Sequence, residues 1–200
     1  MNVSRIIQAR QSSFQRTTKE VDVSVSINLD GTGRSEITTG LPFLDHMLAA
    51  LAKHARFDLS LNARGDVHVD DHHTVEDCAL ALGQALDDAL GDRSGIARFG
   101  FAFAPLDEAL VRAVVDLSAR PWPQVKLRFV RETIGTVATE NLTHFLNSLC
   151  IQARFALHVN QICGENDHHK AEAAFKAVAL ALRAAVRLDG TGIPSTKGVL

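Results

Sequence analysis

Two hundred residues suit one ordinary domain or two small ones. With 46% hydrophobic and 22% charged residues the chain can bury a core, which excludes disorder. A net charge of −2 lacks the basic excess of a nucleic-acid binder, and no apolar run reaches the ~18 residues of a membrane span.

Residues 1–13 read as an N-terminal extension. Arg5, Arg10, Arg16 and Lys19 give the start of the chain a basic bias, but no long amphipathic helix follows, so no cleaved targeting segment is expected. Val21, Val23, Val25, Ile27 and Leu29 alternate with polar residues, the period of a strand with one wet face. Asp30-Gly31-Thr32-Gly33 is turn chemistry, and a short strand around Ile37 is expected to close a hairpin. Residues 42–54 read as a helix with Pro42 in its first turn. Strands over 56–61 and 66–69 follow. Asp70 or Asp71 then caps a long helix that runs to about Leu90 and stops at Gly91. Beyond it the same plan returns: strands near 98–104, 110–117 and 124–130, a helix over 139–152, a strand over 154–162, and a helix from Asp167 to Leu188. Cys78, Cys150 and Cys163 form no CxxC pair, which fits a reducing compartment, the cytoplasm.

The nine histidines are clustered: five lie between His46 and His73, four between His144 and His169, and none between the clusters. Each cluster belongs to one copy of a repeat. HMLAALAKHARFDL (46–59) laid over HFLNSLCIQARFAL (144–157) matches at seven of fourteen positions, and Asp71-His72-His73 with Glu76 matches Asp167-His168-His169 with Glu172. The chain is therefore expected to be α+β, with two similar halves over 14–95 and 96–200 that share one core.

Residues four apart share a helix face, so His72 and Glu76 can hold one metal ion, as can His168 and Glu172. His73 and His169 point about 100° away and must serve another ion. If two copies face each other, within one chain or across an interface, each ion takes a His/Glu pair from one copy and the second His of the other. His46 and His144 are then available as fourth ligands. A lone histidine is more often a hydrogen-bonded structural residue, but two matched copies of this signature favour metal binding. His54, His68 and His158 lack counterparts and read as structural. Histidine with carboxylate suits Mn, Fe or Zn, and the absence of Cys and Met argues against copper.

The motifs LPFLDHML (41–48), GDVHVDDHHTVED (65–77), GIARFG (95–100), PLDEAL (105–110), DLSARP (116–121), NDHHKAEAAFKA (166–177) and IPSTKGVL (193–200) resemble those of the imidazoleglycerol-phosphate dehydratase family of histidine biosynthesis. The resemblance runs in order from Arg16 to Leu200. Its small departures are Ala55 and Ala119, which stand where the family often has glycine.

The resemblance implies four helices sandwiched between two four-stranded mixed sheets. It also implies two Mn2+ ions per subunit and a closed homo-oligomeric shell of roughly 24 chains. One metal set would be His72, Glu76, His144 and His169; the other His46, His73, His168 and Glu172, with the sites formed between subunits. Glu20 would contact the substrate diol and act as a base, although alone it reads as a solvated charge at a strand edge. Arg98, Arg120, Lys176, Ser195 and Lys197 would bind the phosphate. The implied reaction dehydrates D-erythro-imidazole-glycerol phosphate to imidazole acetol phosphate. Its proton is not next to a carbonyl, so two Lewis acids flanking the ring, stabilising an imidazolate, are needed beside a general base. A dinuclear metallohydrolase would want a bridging carboxylate, and a metal-storage shell would have no use for the phosphate set. No fused phosphatase domain is expected in a chain of this length.

Overall fold

The computed structural model describes residues 10–198. The first half runs β1 (Gln11–Thr17), β2 (Val21–Asn28), β3 (Ser35–Thr38), α1 (Pro42–Ala55), β4 (Asp58–Gly65) and α2 (His72–Leu90). The second half runs β5 (Phe99–Leu106), β6 (Ala109–Asp116), β7 (Trp122–Lys126), the two-residue strands β8 (Thr133–Ile134) and β9 (Val137–Ala138), α3 (Thr139–Gln152), β10 (Ala156–Cys163) and α4 (Asp167–Ala185). The sheet orders are β1-β2-β4-β3 and β5-β6-β10-β7, each with its last strand parallel to its neighbour. The duplication is thus topological as well as sequential.

Each sheet turns one face inward onto helices. In β2, Val21, Val23, Val25 and Ile27 are buried while Asp22 and Ser24 are exposed, which is the period-two pattern at work. The helices form the filling: α2 lies on β1 and β2 and also packs on α3, while α4 lies on β5 and β6 and also packs on α1. Phe145 of α3 and Phe175 of α4 meet at 5.6 Å between ring centroids. Close approach depends on two glycines. A Cβ on Gly83 would sit 2.7 Å from Gln152 Cβ where α2 crosses α3, and one on Gly100 would sit 2.0 Å from the Ala181 carbonyl oxygen. Pro105 and Pro123 fall on edge strands, where a missing N–H costs no ladder bond.

Several expectations need correction. The first half begins at Gln11, inside the stretch read as an extension, of which residues 1–9 lie outside the described residues. Strand β1 escaped the hydrophobic pattern because its inward positions include Ser12, which donates to the Ala85 carbonyl at 2.6 Å, and Arg16, paired with Asp77 at 2.8 Å. Strand β3 closes no hairpin with β2; it pairs in parallel with β4. Asp58 gathers the N–H groups of Thr32, Gly33 and Arg34 and carries the chain across to that edge. Residues 66–69 form a turn, with Val69 N–H donating to the Asp66 carbonyl at 2.7 Å, and the alternating Val67 and Val69 are exposed. Strand β7 stops at Lys126. The next backbone donors go to side chains, Arg128 N–H to Gln161 and the Val130 and Arg131 N–H groups to Asp167. Helix α4 stops at Ala185, because Ala97 and Arg98 take the carbonyls of Arg187 and Ala185.

Candidate metal centre

The local sequence sets both signature helices by the same device. Asp70 accepts from His72 N–H at 2.8 Å, and Asn166 accepts from His168 N–H at 2.9 Å, so each first histidine sits in the opening turn. Asp71 then accepts from Ala138 N–H and the Asn141 amide, at 2.8 and 2.9 Å, which fixes the start of α3 against the start of α2. Asp167 does the equivalent for the second half, holding the 130–131 backbone and the buried Lys170 at 2.7 Å.

Two three-ligand groups result, each with its candidate ligand atoms within 4.8 Å of one another: His72, Glu76 and His144, and His46, His168 and Glu172. Each takes its His/Glu pair from one half and its remaining histidine from the other. In the first, His144 Nε2 lies 2.9 Å from Glu76, the His72 and His144 rings stack at 4.8 Å, and His72 Nδ1 faces the Asn141 side-chain oxygen at 3.0 Å. That contact leaves His72 Nε2 for an ion. In the second, Glu172 Oε2 lies 3.0 Å from His46 and 3.3 Å from His168, whose ring meets Phe43 edge-on. Burial disfavours the charged form of Glu172, yet Lys176 at 2.7 Å and His46 outweigh it and hold the carboxyl at about 2. Two imidazoles and one carboxylate, oriented by neighbouring polar groups, fit a first-row divalent ion such as Mn, Fe or Zn.

His73 and His169 join neither group of their own chain. His73 Nδ1 faces Asp66 at 3.1 Å, and His169 Nδ1 faces Glu108 at 2.7 Å. These acids raise both histidine pKa values, and the His169 contact helps hold Glu108 at about 2. Glu20 is exposed in the β1–β2 turn, 3.8 Å from His73 Nδ1. Its turn is fastened to α2 through Thr18 and Arg16, both bonded to Asp77.

Arg98, Arg120, Ser195 and Lys197 line one cavity of about 560 Å³ with Phe99, Pro194 and Thr196. Asp116 grips Arg98 at 2.6 and 3.1 Å, and Arg98 in turn donates to the Pro194 carbonyl at 2.8 Å, anchoring the C-terminal turn. Lys176 lies apart from that cavity, on Glu172. His54 is half-buried near Lys176 and Glu172, and burial lowers its pKa. It stands closer to the centre than its missing repeat partner implied. His158 lies on the outer face of the second sheet, opposite Val114 and Gln124. Asp66, Glu108 and Asn141 were not singled out as site residues in the sequence, and Asp71 only as a cap and as part of the repeated signature; for Asp66 and Glu108, their places in the quoted GDVHVDDHHTVED and PLDEAL motifs were the available signal. Among the described residues no helix is long and apolar enough to cross a membrane.

Residues 39–182 match the family model of imidazoleglycerol-phosphate dehydratase. An imidazoleglycerol-phosphate dehydratase of Methanothermobacter thermautotrophicus is 51% identical over 195 residues, covering 98% of this chain and 100% of the relative. One of Phytophthora nicotianae is 57% identical over 192 residues, and there the chain spans 42% of the relative's length. Among solved structures, the enzyme of Pyrococcus furiosus superposes with a TM-score of 0.81 at 39% identity, covering 93% of this chain and 99% of the other. That of Staphylococcus aureus gives 0.81 at 36% identity, with 89% and 99% covered.

Proposed function

The chain belongs to the imidazoleglycerol-phosphate dehydratase family of hydro-lyases, and we propose that it converts D-erythro-imidazole-glycerol phosphate to imidazole acetol phosphate in histidine biosynthesis, with two divalent metal ions per subunit, Mn2+ foremost. The observation that carries the metal reading is the pair of quasi-symmetric His/His/Glu groups, each built across the two halves. His72, Glu76 and His144 would hold one ion with His169 from another copy of the chain; His46, His168 and Glu172 would hold the other with His73 from another copy. The need for that second copy is what supports a homo-oligomer. Bound there, the ions would supply Lewis-acid stabilisation of negative charge on the substrate's imidazole ring. The two groups share no residue, unlike a bridged dinuclear hydrolase centre.

The remaining work belongs to side chains. Glu20 travels with His73, 3.8 Å away, so whichever site His73 completes also receives a carboxylate able to take a proton from carbon or hold a hydroxyl. Arg120, Ser195 and Lys197 offer a guanidinium, a hydroxyl and an ammonium to one phosphate in the cavity that Arg98 braces. Lys176 keeps Glu172 ionised, the form that ligates a metal. The buried Cys78 and Cys150 thiols, with Cys150 pushed by burial up to about 12, fit a cytoplasmic location.

The test is chelator stripping followed by addition of Mn, Fe or Zn, with product formation and particle size followed together. Turnover should vanish on stripping and return with the right ion. Full turnover without any divalent ion would overturn the reading.

A further inference from the structure

His73 and His169 stand outside the metal groups of their own chain, yet neither is loose. Each presents Nδ1 to a carboxylate, His73 to Asp66 at 3.1 Å and His169 to Glu108 at 2.7 Å. A carboxylate can only accept a hydrogen bond, so each Nδ1 carries a hydrogen and the neutral ring keeps its lone pair on Nε2, which in His169 stands 3.8 Å from the exposed Asp107 carboxylate, beyond hydrogen-bond distance.

The two halves achieve this from different elements. Asp66 directly follows β4, and the residue directly following β10 is Gly164, which has no side chain. Glu108 directly precedes β6, and the residue directly preceding β2 is Glu20. The acid of the second hairpin is therefore bonded to its histidine. The acid of the first hairpin stands 3.8 Å off, and its carboxylate makes no hydrogen bond among the described residues.

We propose that Asp66 and Glu108 are positioning residues that hold His73 and His169 in the Nδ1–H tautomer with Nε2 open to a metal ion, and that Asp66, by doing this in the first half, leaves Glu20 free to act on substrate. This rests on the two-metal reading above. Glu108 has a second duty, since its other oxygen accepts from the N–H groups of Glu165 and Asn166 at 3.1 and 2.8 Å. Glu108→Gln keeps an oxygen for that backbone while turning an NH2 toward Nδ1. The ring hydrogen then moves to Nε2, the wrong tautomer for ligation. Asp66→Asn does the same at His73, and the Asp66 side chain has no backbone contact to lose.

The experiment is equilibrium binding of Mn2+ to chelator-stripped whole protein, with melting of the metal-free form as the structural control. Glu108→Gln and Asp66→Asn should each weaken one of the two ions about 10–100-fold, leaving the other ion and the metal-free melting temperature unchanged. Should Glu108→Gln melt early, Asp66→Asn alone decides. Wild-type affinity for both ions in the deciding variants overturns the proposal. His169→Ala then separates the two readings: loss of one ion leaves the two-metal reading standing, and retention of both overturns that as well.

Discussion

Asp58 redirects the chain by itself. One carboxylate oxygen accepts the N–H groups of Thr32, Gly33 and Arg34 at 2.8, 3.1 and 3.0 Å, and the other meets the Arg34 guanidinium at 3.0 Å. The backbone bonds first, and then the Arg34 side chain, push its pKa well below the ordinary 3.8. A depressed folded-state pKa means that the stabilisation is fully present above the unfolded value and drains away as the pH falls below about 4 toward the folded value. Asp58→Asn should therefore have a lower urea midpoint than wild type at pH 7, and the two midpoints should converge in acid. An equal gap at pH 7 and pH 2 would contradict this. Ala119 illustrates another single-residue effect. Its φ of 58° is in the left-handed region that glycine occupies without strain.

Between elements, the joint of the two halves depends on Arg93. Its guanidinium is buried, pairs with Asp87 at the end of α2, and caps the Ala153 and Arg154 carbonyls beyond α3 at 2.9 and 2.8 Å. Arg93→Ala should cost about 3 kcal/mol in chemical denaturation, because it leaves the buried Ala153 carbonyl without a partner and Asp87 with Arg154 alone. Lysine should not rescue it, since one ammonium cannot span three acceptors in a planar fork. Arg187→Ala, which breaks an exposed pair with Asp189 at 3.5 Å, should change stability by less than about 1 kcal/mol. The same contrast decides what the sequence discloses. Strand β2 and the signature helices were legible because hydrophobic period and capping residues are local. Strand β1, the parallel pairing of β3 and the early end of β7 were not, because Ser12, Asp58 and Asp167 act on backbone that is distant in sequence.

In the whole molecule, the duplication and the His and Glu residues of the candidate groups could be read from spacing alone, because a repeat preserves both. The assignment of histidines to groups could not. Spacing says only that His73 and His169 leave the face of their helix, whereas the α2–α3 and α1–α4 contacts decide that His144 and His46 fill each group. If the fourth ligands come from other copies, two different defects in one site can repair each other. His144→Ala and His169→Ala chains each lack a complete version of the site built on His72 and Glu76, so each alone should hold one tightly bound Mn2+ per chain. Co-expressed in equal amounts, random assembly pairs an intact His144 with an intact His169 at about one site in four. The mixed particles should accordingly regain about a quarter of the missing ions, read as Mn2+ per chain after gel filtration. Four ligands from a single chain would leave the mixture at the level of its parents, because every chain would still carry a defect in that site.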